Sequence, residues 1–332
     1  MPSVSLPVRD VPPALQRLPL LTLYLTERCN SRCVSCDYWR HGRAELSLPQ
    51  VQSLLPALER LKTRQVLLSG GEPLMNRDWA AIATLLKQAG LSVWLLTSGL
   101  ALTKHVPRLG ALIDALTVSL DGTDAATYEA IRGLDAFERV CAGIRSAAAA
   151  GLRPGLRVTL QRRNYRQLPE FVELASRLGA CGVSFLAVDV GNPHAFGRLG
   201  APAADLALTL QEVEEFQVLV STLEQRYAPA LRSGFIAQSA AKLRQIGQYF
   251  AALHGQAAYP PVRCNAPEFS AVLTAQGRLD PCFFIAGAAD NALPDLAGAL
   301  NVSSARTLRQ QISGGSRPEC QRCVCSMWRQ AS

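Results

Sequence analysis

Charged residues are scarce in this chain, at 18% against the usual ~25%, and aromatics reach only 6%. Neither figure suits a disordered segment or a coiled coil. Hydrophobic residues make up 48% of the 332 positions, enough for a large core. The length fits one big domain or two of ordinary size, burying roughly 70–75% of the unfolded surface. Lysine is nearly missing. Lys62, Lys87, Lys104 and Lys242 are the only four, so 30 of the 34 basic residues are arginine. The net charge of +8 is spread along the chain without a basic run, which argues against a nucleic-acid partner. No uncharged apolar stretch approaches ~18 residues, so no membrane-spanning helix is expected. The first twenty residues lack a basic segment followed by an apolar one. No secretory signal is therefore expected, and the expected setting is cytoplasmic.

Cysteine is what the chain does not lack. There are ten, and eight of them fall in two tight groups. In a reducing compartment such clusters point to metal binding or redox chemistry rather than to disulfides.

From Leu20 to Val188 short apolar runs alternate with helical patterns. The runs Leu20–Thr26, Gln65–Ser69, Ser92–Ser98, Ala115–Leu120, Leu156–Gln161 and Val183–Val188 read as strands buried on both faces. Helices are predicted over Leu48–Leu61, Asp78–Ala89, Leu102–Ile113, Asp135–Ala150 and Leu168–Leu178, with Gly90, Gly151 and Gly179 as stops. Six strand–helix units imply parallel strands joined by right-handed crossovers. The predicted fold class is α/β, a partial (β/α)6 TIM-like barrel whose site lies at the C-terminal strand ends. Residues 1–19 form an N-terminal extension and 20–199 the partial barrel. Residues 200–262 read as a helical linker region. The last segment, 263–332, contains a predicted hairpin, FSAVLTAQGRLDPCFF, and five of the ten cysteines.

The first group is Cys29, Cys33 and Cys36, a C-x3-C-x2-C spacing just after the first strand. Three thiolates so close can wrap one metal centre, but structural zinc and ferredoxin-type iron–sulfur sites both take four ligands. Three cysteines leave one iron of a cubane open to a ligand from outside the protein. The alternative is three buried or zinc-binding cysteines. The segment TERCNSRCVSCDYW resembles the signature loop of the radical S-adenosylmethionine (radical SAM) superfamily. The resemblance implies a [4Fe–4S] cluster whose open iron is chelated by SAM. Reductive cleavage of SAM then yields a 5′-deoxyadenosyl radical that abstracts a substrate hydrogen.

Further motifs carry the same resemblance. Gly70-Gly71-Glu72-Pro73, after the second strand, matches the family's GGEP motif, which holds the SAM amino group. Glycine there permits close backbone approach. Thr97-Ser98-Gly99 resembles the polar tip of the third strand. Ser119-Leu120-Asp121-Gly122 matches an S-x-D-G motif whose Ser119 and Asp121 contact SAM. Asn164 and Leu186 stand where relatives line the SAM pocket. Relatives commonly carry an aromatic residue just before the third cysteine. This chain has Ser35 there, and Tyr38 is expected to replace it.

The second group is Cys264, Cys282, Cys320, Cys323 and Cys325. Its C-x12-G-x4-C run, with Gly277 at the hairpin turn and a distal C-x2-C, resembles the SPASM/twitch domains of some radical SAM enzymes. One auxiliary [4Fe–4S] cluster is implied, held by Cys264, Cys282, Cys320 and either Cys323 or Cys325. A zinc ribbon is the alternative reading of the same cysteines. Seven ligating thiolates and two cluster cores would move the net charge from +8 to about +5. Cys141 and Cys181 read as small core residues.

Asp189 and His194, after the sixth strand, are candidates for substrate contact or a catalytic base. Arg153 and Arg198 are candidates for binding a carboxylate or phosphate. The resemblance implies an oxidoreductase-type enzyme of natural-product or cofactor biosynthesis, with an external one-electron donor such as flavodoxin or ferredoxin. Its substrate is a small molecule or a peptide. Only about twenty residues precede the first strand, too few for the leader-binding domain of peptide-modifying relatives. That favours a small molecule, or a peptide delivered by a separate partner. A radical SAM methylase or epimerase, and an idle iron–sulfur or zinc scaffold, remain as alternatives.

Overall fold

In a computed structural model of the protein, residues 14–193, 195–200, 204–287, 289–293 and 295–330 are described. The six apolar runs form β1 (Leu20–Tyr24), β2 (Gln65–Ser69), β3 (Ser92–Thr97), β4 (Ala115–Ser119), β5 (Pro154–Leu160) and β6 (Gly182–Ala187). All six are parallel and pair in chain order. Repeated crossovers of one hand curl such a sheet, and here it stays open as a partial barrel.

The crossover helices are α1 (Leu48–Arg60), α2 (Trp79–Gln88), α3 (Leu102–Leu112), α4 (Ala125–Arg132), α5 (Phe137–Ala149) and α6 (Leu168–Arg177). Ser47 and Gln50 cap α1 reciprocally, with Pro49 in the first turn. Gly90, Gly151 and Gly179 follow three of the helices at positive φ, as stops in the left-handed region should. One helix was expected between β4 and β5, and there are two. Asp124 caps α4 by accepting the Thr127 N–H, and Gly133 ends it at φ 74°.

Alternation decides which face each strand residue takes. Leu156, Val158 and Leu160 of β5 are at most 1% exposed beneath the helices, while Arg157 and Thr159 are half-buried on the concave face. Ser119, Ser184 and Leu186 lie on that same face by register.

After β6 come α7 (Leu210–Arg226), α8 (Ala228–Arg232) and α9 (Ala240–Leu253). The segment after α8 covers the free edge of β6. Val183 N–H donates to Phe235 O at 2.7 Å, and Ala237 N–H donates to Val183 O at 2.9 Å. An edge satisfied in this way cannot recruit another strand.

The chain then returns through α10 (Ala266–Phe269) to the predicted hairpin, β7 (Ser270–Leu273) and β8 (Leu279–Asp280), turning at Gly277 with φ 87°. β7 pairs in parallel with β1, so the sheet runs β6-β5-β4-β3-β2-β1-β7-β8. The last cysteines are thereby tied to the same sheet as the first. Three short helices close the chain, α11 (Leu296–Asn301), α12 (Ser303–Ser313) and α13 (Pro318–Gln321). Among the described residues no helix is long and apolar enough to cross a membrane.

Candidate functional site

Cys29, Cys33 and Cys36 occupy the loop that leaves the C-terminal end of β1, and that loop is gripped on three sides. On one side Gly71 N–H donates to Thr26 O and Glu72 N–H to Arg28 O, both at 2.8 Å. A Cβ on Gly71 would stand 2.3 Å from Arg28 O, so only glycine permits this approach. The glycines of this turn therefore admit the cysteine loop's own backbone. On the second side the end of α4 accepts two bonds, from Arg32 N–H to Arg132 O and from Val34 N–H to Ile131 O. On the third, Asp37 N–H donates to Phe196 O, and Leu199 N–H donates to Asp37 Oδ2.

Glu72 is fully buried, and its carboxylate accepts from Leu74 N–H, Thr97 Oγ1 and Ser98 N–H at 3.1, 2.8 and 2.7 Å. Pro73 opens the 3-10 turn beside it. Ser98 Oγ reaches Asn30 Oδ1 at 3.2 Å, joining the tip of β3 to the cysteine loop. Asp121 is buried, accepts from Thr159 N–H at 2.7 Å, and pairs with Arg132 Nε at 2.8 Å. The Asn164 amide donates to Asp121 O and Thr159 O and accepts from Gln161 N–H, so its groups all serve the strand tips. Leu186 is half-buried on the concave face. Tyr38 packs edge-on against Tyr24 with centroids 5.6 Å apart. Both line a cleft of about 190 Å3 together with Gln276, Asp280 and Cys282. The cleft therefore joins the segment that follows β1, through Thr26 and Tyr38, to Cys282 of the second cysteine group.

Cys264, Cys282, Cys320, Cys323 and Cys325 line one cavity walled by Phe284, Ile285 and Ile312. Backbone N–H groups point at sulfur in both groups, Ser31 to Cys29, Phe284 to Cys282 and Cys325 to Cys323, at 3.4–3.5 Å. Burial pushes the Cys29 and Cys282 thiols up to about 12 and Cys320 to about 11, and raises Cys33, Cys36, Cys323 and Cys325 as well. Desolvated thiols of this kind become thiolates when a cationic centre replaces the proton. Soft sulfur donors in apolar surroundings with N–H···S bonds suit an iron–sulfur cluster. Among the described residues no three ligating side chains close around a single ion. In a cubane each thiolate bonds a different iron, so its ligands stand farther apart than around one ion.

Other predicted residues are placed differently. Asp189 is buried in the loop after β6, where Oδ1 accepts from Gly191 and Asn192 N–H and lies 3.9 Å from Arg198 Nη1. Burial raises its pKa. Arg198 is 4% exposed at its side chain and donates to the carbonyls of Asn192 and Asp189, so it is a loop anchor and no free anion receptor. His194 lies outside the described residues. Cys141 is buried in α5, as expected, but Cys181 is exposed, its thiol donating to Arg153 O at 3.2 Å. It sits in the turn before β6, which the core does not reach.

Sequence reasoning missed Arg132. Its guanidinium is buried between Asp121 and Cys33, with Nη1 3.5 Å from Cys33 Sγ. The available signal was Asp124 and Gly133 bracketing a helix-length segment, a cap at each end. Gln161 was missed too. It is fully buried just beyond β5, and neither its amide oxygen nor its nitrogen has a partner.

The family model described as the Radical SAM superfamily matches residues 23–175. The chain is 31% identical over 234 residues to the "Probable GTP 3',8-cyclase" of Saccharolobus islandicus, covering 69% of this chain and 74% of that protein. It is 35% identical over 165 residues to the mycofactocin maturase MftC of Mycobacterium tuberculosis, covering 48% and 42%. Its fold resembles that of anSMEcpe solved with AdoMet and the Cp18Cys peptide, at TM-score 0.67 and 15% identity, covering 92% and 86%. The chain belongs to the radical SAM superfamily. As a member it works with SAM and a [4Fe–4S] cluster.

Proposed function

We propose that this protein is a radical SAM oxidoreductase with an auxiliary [4Fe–4S] cluster, acting on a small molecule in natural-product or cofactor biosynthesis. The observation that carries this reading is the cleft beside the second cysteine group, with Tyr24 and Tyr38 on one wall and Cys282 on another. Bound together and reduced, SAM and the first cluster would supply the radical chemistry that removes a hydrogen atom from the substrate. The protein's own residues hold, orient and exclude water.

Cys29, Cys33 and Cys36 hold the first cluster, and Arg132 offsets the charge at Cys33. Gly70, Gly71, Glu72 and Pro73 set the loop that faces the SAM amino group. Ser98, Ser119, Asp121, Asn164 and Leu186 shape the remaining SAM surface, with Asn164 acting through the backbone of its neighbours. Tyr38 closes the cleft towards the second cluster. Cys264, Cys282, Cys320 and Cys323 would hold that cluster, which would supply an electron acceptor for oxidation of the substrate. The division at residues 20–199, 200–262 and 263–332 separates radical generation, edge cover and electron acceptance. A flavodoxin or ferredoxin supplies the initiating electron.

Peptide modification is the second reading. It is favoured by the likeness in fold to anSMEcpe, solved with a peptide, and by identity with the maturase MftC. The test is anaerobic reconstitution with SAM and dithionite. Cys33→Ala should abolish 5′-deoxyadenosine release. Cys282→Ala should keep release yet fail to turn over substrate. No release by the wild-type protein overturns the reading.

A further inference from the structure

Two hollows share one wall in the C-terminal segment. The cysteine cavity and an outer pocket of about 350 Å3 are both lined by Val262, Cys264, Ile312 and Cys320. One layer of side chains therefore separates the second cysteine group from the surface. Tyr259, Pro261 and Trp328 also line the outer pocket, and Trp328 is 48% exposed.

Arginine gathers around this pocket. Arg263 lies over the Trp328 ring at 3.8 Å, Arg322 over Tyr259 at 5.7 Å and Arg329 over Phe269 at 4.7 Å. All three are exposed, and among the described residues none enters an ion pair. No carboxylate lines the pocket, where Arg263 is the one charged residue among those described. Each guanidinium is thus held by an aromatic ring and keeps its charge towards solution. Arg, Tyr and Trp are the residues most enriched in protein interfaces and their hot spots. A cationic face selects an acidic partner and speeds its approach.

On the oxidative reading each turnover would leave one electron at the second cysteine group. A further turnover needs an acceptor for it. Electron transfer falls steeply with distance, so that acceptor must approach where a single layer of side chains intervenes.

We propose that Arg263, Arg322, Arg329 and Trp328 form the docking surface for an acidic, flavin-bearing one-electron carrier protein. The proposal rests on the oxidative reading above and deepens it, because it assigns the partner that clears the second cysteine group. The carrier's oxidised flavin takes one electron from this protein and one proton from solvent, and no bond in this protein forms or breaks. Small, transient interfaces suffice for such encounters.

The full chain is reconstituted anaerobically and titrated with an acidic FMN-loaded flavodoxin at low and high salt. Binding should be saturable and should weaken as salt rises. Arg263→Glu, Arg322→Glu and Trp328→Ala should each weaken it about tenfold or more at unchanged iron content. Arg108→Glu, a charge reversal on exposed α3 surface, should leave it unchanged. No binding by the wild type, or wild-type affinity in Arg263→Glu and Arg322→Glu, overturns the proposal. So does a loss confined to Arg43→Glu, which would place the carrier at the first cysteine loop. A dimer of this chain that Trp328→Ala dissociates would assign the face to a second copy and overturn it too.

Transfer is read separately on Cys33→Ala, which should keep only the second cluster. The reduced variant, freed of reductant, is mixed with oxidised flavodoxin, and flavin reduction is followed by visible absorbance. Adding Arg263→Glu should slow it about tenfold, in step with the loss of affinity. Equal rates overturn the proposal. A Cys33→Ala protein without iron overturns the oxidative reading instead, and salt-sensitive binding lost in Arg263→Glu then leaves the docking surface standing.

Discussion

Arg132 and Asp121 form a buried ion pair, Nε to Oδ2 at 2.8 Å, and the same guanidinium reaches Cys33 Sγ at 3.5 Å. One side chain from the end of α4 thus couples the tip of β4 to the cysteine loop. Arg132→Met leaves the Asp121 carboxylate buried and unpaired. Removing one partner of such a pair destabilises by about 3–5 kcal/mol. Chemical denaturation should show a loss of that order. The Cys33 thiol should also become harder to ionise, because Arg132 is what opposes the effect of burial there. Alkylation of metal-free protein at fixed pH should slow at Cys33. Unchanged stability and alkylation would remove Arg132 from the site.

Glu72 gathers three donors from two strand tips. Glu72→Gln keeps the shape but turns an NH2 group towards one of those donors. The loss of a charge-assisted bond and the new mismatch should cost about 1.5–3 kcal/mol. SAM affinity should fall as the turn loosens, measured by titration of the reconstituted protein. A variant as stable as wild type would mean that Glu72 does not bind these tips together.

The approach of Gly71 to Arg28 O is a sharper test of the loop's design. Gly71→Ala places a Cβ 2.3 Å from a backbone oxygen, and one of the two strands of the grip must move. The first cluster should be lost and the second kept, so bound iron should drop from about eight to about four per chain. Gly110→Ala in α3 is the control. Nothing lies within 4 Å of its added Cβ, and a helical alanine should stabilise by up to about 1 kcal/mol. Equal iron in both variants would show that the loop tolerates the methyl group.

How much of this was legible beforehand depended on the range of the interaction. β1 to β6 were readable because strands covered on both faces are apolar at nearly every position. The ends of α1 and α2 were readable from Ser47 and Gly90, since caps act within one turn. The cysteine groups were readable because ligand spacing is itself local. α4 was not, because Ala125–Arg132 is only eight residues long, about two turns. Without α4 there was no reason to single out Arg132. The pairing of β7 with β1 joins residues some 250 positions apart, and no local pattern records it. Arg198 and Arg263 were alike among thirty arginines. Only their neighbours in space separate a buried anchor from an exposed cation.

The buried thiols predict a pH dependence that removing the metal should expose. In metal-free protein Cys29 and Cys282 sit at about 12 and Cys320 at about 11, from an ordinary value of 9.0. Burial favours the protonated form, so the folded state keeps protons that the unfolded chain has already released. Between pH 9 and 12 stability must therefore fall as pH rises. The denaturation midpoint of metal-free protein should hold steady up to about pH 8 and drop from about pH 9 upward. The reconstituted protein, whose ligating thiols carry no proton, should show a smaller drop, the part left by buried Cys141 at about 11. A flat profile for metal-free protein to pH 10.5 would contradict the burial of these sulfurs.

Five cysteines line the second cavity, and one cubane takes four. Cys282 feels the charges of Cys320 and Cys264, and Cys323 feels those of Cys325, Cys282 and Cys264. Cys325 feels Cys264 but also Arg157 and Lys242, so it lies where the cavity meets the concave face of the sheet. The Cys323 sulfur accepts the N–H of Cys325 at 3.4 Å, the kind of bond that supports a ligating sulfur. The expected ligand is Cys323. Cys325→Ser should retain the iron of the second cluster and its electron paramagnetic resonance signal after reduction. Cys323→Ser should lose about four irons per chain while the SAM-dependent cluster and 5′-deoxyadenosine release persist. The opposite pattern would assign the ligand to Cys325 and leave Cys323 as the free thiol.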